Sequence, residues 1–252
     1  MTADDVIEAL ALPPSALVGR RVPKTLLIEN ASPTAADKRQ VRDGVEELRW
    51  VTALKPSTIG VPDFSDRERE YLEIAVMRME IRPGFRRARL AQLVHRAIPY
   101  PVLLVVEDDA AIECSCAHKR WSQAEAGAVV LDGTPVTVAI DRRSEPPHWA
   151  AFRAALPLEK QESTSLKHLY QSWIDALLAL EAASRTGTFS IPASDAHARR
   201  RQTAMEECAR LENEIDLLCR RAEKETQTAR KVELNGTLTR LRAELASACD
   251  QI

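Results

Sequence analysis

Hydrophobic and polar positions follow two periods along this chain, one of strands and one of helices. The run Val102-Leu103-Leu104-Val105-Val106, framed by Pro101 and Glu107-Asp108-Asp109, is apolar throughout and too short for a buried helix. It predicts a central strand covered on both faces, and the acidic turn leads into an antiparallel partner over 112–117. Residues 71–81 also read as a strand, with Leu72, Ile74 and Val76 on one face and Tyr71, Glu73, Ala75 and Met77 on the other. Shorter strands are predicted over 25–28, bounded by Pro23 and Pro33, and over 58–61. Asp132-Gly133, between Val129-Val130-Leu131 and Val136-Thr137-Val138, predicts a hairpin, with Pro135 best tolerated on a sheet edge.

The helical period appears first over 4–12, where Pro13-Pro14 stops it, because proline lacks the amide and restricts the residue before it. Thr34 with Asp37 resembles a capping box, and Val41, Val45 and Leu48 follow at helical spacing, predicting a helix of about four turns. After Pro83-Gly84, the residues Leu90, Leu93, Val94 and Ala97 form one stripe of a helix over 85–97. Pro146-Pro147 opens a less regular stretch. The clearest helix spans 163–180 and carries Leu166, Leu169, Tyr170, Trp173, Ile174 and Leu177.

Residues 183–197 are small and polar and read as a linker. Beyond it Ala204, Cys208, Leu211, Ile215, Leu218 and Ala222 step by fours and threes, and Leu234, Leu238, Leu241, Leu245 and Ala248 do the same in a shifted phase. The break over 223–232 predicts two helices folded back as an antiparallel hairpin, with one long helix carrying a skip as the alternative. Asn235-Gly236 fits as an imperfection inside the second helix. The predicted fold is α+β: a mixed β-sheet core flanked by helices over 1–182, the linker, and a C-terminal antiparallel helical hairpin or coiled coil over 198–252.

Composition narrows the partners. At 252 residues with 45% hydrophobic residues, the chain can bury one substantial core and an appendage, or two modest domains. A net charge of -2 argues against coating nucleic acid through overall charge, so any DNA contact is local. The odd set Cys114, Cys116, Cys208, Cys219 and Cys249, behind a start without a secretory pattern, predicts reduced thiols in the cytoplasm. No run approaches the roughly 20 apolar residues that cross a bilayer.

Candidate chemistry is sparse. Cys114-Ser115-Cys116-Ala117-His118 offers zinc-type ligands but lacks a second spaced pair, and buried strand cysteines are the simpler reading. Nothing marks a lowered thiol pKa or an orienting partner for a Cys-His nucleophile. Single scattered glycines form no phosphate loop. The order of helices and strands loosely resembles the restriction-endonuclease core, whose chemistry needs acidic metal ligands and a lysine at adjacent strand positions. Here Ala75 and Met77 stand where an acid-X-lysine is sought on the face of Glu73. Asp108, Asp109 and Glu113 read as a solvated turn before a cation site. No catalytic, metal or cofactor residue is therefore assigned. Arg78, Arg82, Arg86, Arg87, Arg89 and Arg96 form the densest basic region with only Glu80 against them, and Arg199-Arg200-Arg201 precede the hairpin. These arginines, except Arg78, together with Lys119 and Arg120, are the candidate phosphate contacts.

Several short motifs occur in a fixed order: Val22-Pro23-Lys24, Glu47-Leu48-Arg49-Trp50, Leu72-Glu73-Ile74, Ala97-Ile98-Pro99-Tyr100-Pro101-Val102-Leu103, Ala117-His118-Lys119-Arg120, Leu169-Tyr170 and Arg230-Lys231-Val232-Glu233-Leu234-Asn235. Together they resemble an uncharacterised bacterial family of unknown function, of about this length, whose members are often encoded beside helicases and DNA methyltransferases of restriction and phage-defence loci. The resemblance spans nearly the whole chain and implies context, not residues: an accessory protein working with large DNA-processing enzymes. Members tend to place a lysine near the end of the strand that here ends in Met77 and Arg78, so lysine-dependent chemistry is not implied for this chain. The expected partners are a helicase or other ATPase and a methyltransferase of the same operon, with DNA contact and a homodimer through the C-terminal helices as further expectations. Leu211, Ile215, Leu218, Leu238, Leu241 and Leu245 are the expected partner-binding residues, because a lone hairpin cannot bury its whole apolar seam. The alternative is a divergent metal-dependent nuclease using Glu73 and Arg78.

Overall fold

The structure, a computed structural model, describes residues 2–31, 33–125, 127–142, 148–192, 194–249 and 251–252. The chain divides into two compact units, Met1–Leu180 and Glu181–Ile252. Pro146-Pro147, where a less regular stretch is expected, lies outside the described residues.

The first unit opens with α1 (Ala3–Ala9), begun by a reciprocal box in which the Thr2 hydroxyl accepts from the Asp5 amide and the Asp5 carboxylate accepts from the Thr2 amide. An edge strand β1 (Leu17–Arg21) follows, and then α2 (Lys24–Asn30). A helix thus stands where 25–28 predicts a strand. Pro23 fixes its start, and of the apolar run only Leu27 is fully buried, with Leu26 and Ile28 flanking it on the helix surface.

Helix α3 (Ala35–Gly44) carries the expected Thr34–Asp37 box but ends after 10 residues, where strand β2 (Val45–Leu54) begins. The four-turn helix is therefore half strand. Its pairing shifts between Val45 and Glu47 and again between Trp50 and Thr52, so that an extra residue enters β2 each time. Each bulge resets the strand alternation, and the buried residues Val45, Leu48 and Thr52 end up three and four apart, imitating a helix. Next, α4 (Pro56–Ile59) is a single turn in place of the strand expected over 58–61. Pro56 suits its first position, the Lys55 amide donates to the Thr58 hydroxyl at 2.9 Å, and Gly60 closes it at φ 70°.

The short strands β3 (Phe64–Ser65) and β4 (Glu70–Tyr71) pair, and then β5 (Ile74–Ile81), α5 (Arg87–Ala97) and β6 (Val102–Glu107) make a parallel crossover. The acidic turn leads into β7 (Ala111–Cys116), antiparallel to β6 as expected. Strands β8 (Lys119–Trp121) and β9 (Val129–Leu131) pair with each other, whereas β10 (Val136–Asp141) pairs with β7. The hairpin expected at Asp132-Gly133 is therefore not made. The Asp132 carboxylate is drawn to Arg69 and Arg120, and the chain passes through Gly133 from one sheet to another. The main sheet has the order β1-β2-β5-β6-β7-β10, with Pro135 beside its outer strand.

On one face of this sheet Met77, Met79, Leu104 and Val106 meet Leu27 of α2, Val41 of α3 and the stripe Leu90, Leu93, Val94 and Ala97 of α5. On the other face Ile74, Val76, Leu103 and Val105 are buried as well, which accounts for the continuous apolar runs. Helices α6 (Trp149–Ala155) and α7 (Leu166–Thr186) complete the helical part of the unit, and the Trp173 indole of α7 donates to the Leu156 carbonyl at 3.0 Å.

In the second unit α8 (Asp195–Lys224) and α9 (Thr228–Cys249) pack together as a hairpin across residues 225–227, the arrangement that the phase break predicts, with Gly236 inside α9. Because α7 continues to Thr186, the irregular connection is 187–194, shorter than the expected linker.

Candidate functional site

Several of the ordered sequence motifs meet at one junction on the sheet. The hydroxyl of Tyr170 donates to the Val102 carbonyl at 2.7 Å and accepts from the Ala117 amide at 2.8 Å, tying α7 to the adjoining ends of β6 and β7. Burial pushes its ionisation well above the ordinary tyrosine value. Next to it Lys119 is 2% exposed, and its ammonium donates to the carbonyls of His95 and Ile98, acceptors at the end of α5. Burial lowers this lysine to about 7. The motif lysine thus closes a helix.

His118 forms the polar centre of the junction. Its Nε2 lies 2.8 Å from Gln171 Oε1, while Gln171 Nε2 donates to Asp175 at 2.9 Å, and its Nδ1 meets the Tyr71 hydroxyl. Asp175 accepts from the amide nitrogen, so the amide oxygen faces the imidazole; His118 Nε2 then carries the proton and Nδ1 accepts from Tyr71. Burial lowers His118 and raises Tyr71, so both are neutral near pH 7. The ring also stands edge-on to Tyr170 at 5.6 Å. An amide between histidine and carboxylate fixes a tautomer but does not carry a proton as a carboxylate would. The chain Tyr71–His118–Gln171–Asp175 therefore orients and locks the junction.

The cysteines of the same segment are buried in β7. Burial pushes the Cys114 thiol up to about 12 and Cys116 higher still, the reverse of an activated nucleophile. Among the described residues no three His, Cys, Asp or Glu side chains are grouped to hold a metal ion. Deeper in the sheet His95 Nε2 meets Ser115 Oγ at 2.9 Å, its Nδ1 has no partner among the described residues, and burial lowers it to about 3.

The candidate phosphate contacts separate into groups. Arg89 grips both oxygens of Asp37 at 2.8 and 2.6 Å, Arg87 holds Asp108 at 2.6 Å, and Arg82 reaches Glu46 at 3.1 Å. The acids that neutralise them come from α3, the start of β2 and the β6–β7 turn, so the region is not opposed by Glu80 alone. Arg89 holds the Asp37 carboxyl well below the usual carboxylate range, helped by the Thr34 amide and hydroxyl. Burial raises the Asp108 carboxyl, but the Ala111 and Ala110 amides and Arg87 outweigh it and leave the group below its ordinary value. Two candidates are corrected outright: Lys119 is buried, and Arg201 is buried with its guanidinium on the Ile252 carbonyl at 2.9 Å and on Ser190. Arg120 lies 3.6 Å from Asp132 and is half-buried. Arg82, Arg86, Arg96, Arg199 and Arg200 remain exposed.

On the strand considered for nuclease chemistry, Glu73 pairs with Lys55 at 3.0 Å, whereas Arg78 pairs with Glu107 and lies 3.4 Å from Asp4. Met77 is buried in the core beneath α5. The two nuclease candidates are engaged separately. In the second unit, Leu211, Leu238 and Leu241 are buried between the helices, Ile215, Leu218 and Leu245 are half-covered, and Leu217 and Val232 are 56% and 66% exposed.

Sequence reasoning missed the Tyr71–His118–Gln171–Asp175 chain, whose members come from β4, the β7–β8 turn and α7. No spacing in the sequence links them. No curated protein and no solved structure matches the chain. The family model of DUF4391, a domain of unknown function, matches residues 10–245, and the chain belongs to that family.

Proposed function

We propose that this chain is a non-enzymatic accessory subunit of a bacterial anti-phage defence or restriction-type complex, in which a helicase, with or without a DNA methyltransferase, is its partner. The observation that supports the reading is the half-covered seam of the C-terminal hairpin. Two helices cover one side of each other's apolar stripe, and Ile215, Leu218 and Leu245 keep part of theirs open. A third helical surface would complete that packing. The first unit supplies a rigid body whose charged groups are largely spent on one another, and DNA contacts fall to Arg82, Arg86, Arg96, Arg199 and Arg200. No helix among the described residues is long and apolar enough to cross a membrane, which accords with a cytoplasmic complex.

Affinity purification of the tagged chain expressed from its native operon tests this. The helicase should co-elute, and Ile215→Glu combined with Leu218→Glu should release it while Arg86→Glu does not. Elution as a free monomer or as a homodimer without the helicase overturns the reading. A second reading, a divergent metal-dependent nuclease, draws on Lys55 lying against Glu73 at the adjoining ends of β2 and β5. DNA cleavage with magnesium or manganese that disappears in Glu73→Ala would favour it over the adaptor.

A further inference from the structure

Cysteines in this chain occupy three environments. Cys114 and Cys116 are sealed in β7, and Cys219 is half-exposed with Arg242 Nη2 3.9 Å from its sulfur. Cys208 and Cys249 differ from these. They come from different helices of the hairpin, 41 residues apart in sequence, and their sulfurs lie 3.4 Å from each other. Cys208 is buried in the seam, whereas Cys249 is half-exposed at the last position of α9, where small solutes can reach it.

We propose that Cys208 and Cys249 form a peroxide-responsive thiol pair that fastens the open end of the hairpin as a reversible disulfide. The sulfurs need to close from 3.4 Å to a bond of about 2 Å, a movement within side-chain rotation at a helix end. The exposed Cys249 thiolate attacks one oxygen of a hydroperoxide, the O–O bond breaks, and the other oxygen leaves as water or alcohol, giving a sulfenic acid on Cys249. The Cys208 thiolate then attacks the Cys249 sulfur and displaces its oxygen as water. For hydrogen peroxide the balance is two thiols and one peroxide giving one disulfide and two waters; the cysteines lose two electrons, which the O–O bond takes up. Burial and the contact with Cys249 raise the Cys208 thiol to about 11, which suits Cys208 to resolve the sulfenic acid beside it and leaves the first attack to the more exposed Cys249. A dithiol reductant reverses the bond by exchange.

The consequence lies in the hairpin itself. Closing a loop of this length restricts the unfolded chain, so the oxidised hairpin opens less often than the reduced one. The seam that Leu211, Leu238 and Leu241 hold together then gains a covalent clamp at the end opposite the 225–227 turn.

Peptide mapping of the full chain by mass spectrometry, after titration with hydrogen peroxide and alkylation, tests the proposal. A cross-linked peptide joining Cys208 to Cys249 is expected, two hydrogens lighter than its parts and lost on dithiothreitol treatment. Limited proteolysis within α8 and α9 should slow on the order of a hundred-fold in the oxidised chain. Cys219→Ser should keep both results, and Cys249→Ser should abolish both while retaining the helical circular dichroism of the reduced chain. The proposal is overturned if Cys249 proceeds to sulfinic acid with Cys208 still alkylated, if disulfides form only between chains, or if Cys249 stays reduced at peroxide levels that oxidise free glutathione.

Discussion

The two units of the chain use the same residue types in opposite ways. In Met1–Leu180 most arginine pairs reach acids far away in sequence, as in the half-buried Arg89 on the buried Asp37, 52 residues apart. In Glu181–Ile252 the pairs are mostly local and exposed, as in Arg210 with Glu207 and Glu214 three and four residues away. Apolar residues divide in the same manner: β6 is buried at every position, whereas the hairpin seam is buried in part. A charged or apolar residue thus becomes structural where tertiary packing surrounds it, and remains available where only a helix neighbour does.

Core truncation separates the units most strongly. Leu104 is fully buried between the sheet and α5, and Leu104→Ala should lower the unfolding free energy by about 3 to 4 kcal/mol in urea titration followed by tryptophan fluorescence. All of the chain's tryptophans, Trp50, Trp121, Trp149 and Trp173, belong to the first unit. Leu241, buried between only two helices, should cost about 2 kcal/mol as Leu241→Ala, read as helix loss by circular dichroism. Equal costs would mean that the hairpin encloses its seam as fully as the sheet does.

Acid sensitivity comes next. His95 is buried and neutral, with a folded value of about 3 against about 6.5 when unfolded, so the unfolded chain binds the extra proton between those values. Stability therefore falls as pH drops below about 6.5, by about 1.4 kcal/mol per unit until the folded value is approached. The variant His95→Gln keeps a partner for Ser115 Oγ and cannot titrate. Its stability should lose most of that slope between pH 6.5 and 4.5, roughly 2 to 3 kcal/mol over the interval. An unchanged slope would place the acid response elsewhere, and the hairpin should show little of it.

How far the sequence reveals this molecule depends on the range of the interaction. The Thr34–Asp37 box, the α5 stripe, β6 and the shifted seam phases of α8 and α9 are set by neighbours a few residues apart, and each was readable. The bulges of β2 are set by its pairing with β5, and they produced helical spacing on a strand. Strand β9 pairs with β8 and not with β10, because Asp132 answers to Arg69, 63 residues away. The candidate site was less legible still. Lys119 read as a surface cation because nothing local shows that the end of α5 lies over it, and the Tyr71–His118–Gln171 contacts span 47 and 53 residues. The motif order pointed to the right segments without saying that their common task is to hold a junction together.

The smallest effect is the most direct test of the contrast between arginines. Arg89→Met should lower stability by about 1 to 2 kcal/mol at pH 7, because the buried Asp37 keeps the Thr34 amide but loses its bidentate cation. The depressed Asp37 carboxyl contributes stability that is fully present above the unfolded value of about 4 and is lost as pH falls through the folded value. Melts between pH 4 and 2 should accordingly flatten in Arg89→Met. Arg210→Met removes two exposed partners in the hairpin and should leave the melting curve in place, since solvent already screens that cluster. If the two substitutions shift the melts alike, the arginines of the first unit are as available as those of the second, and the distinction between structural and free cations fails.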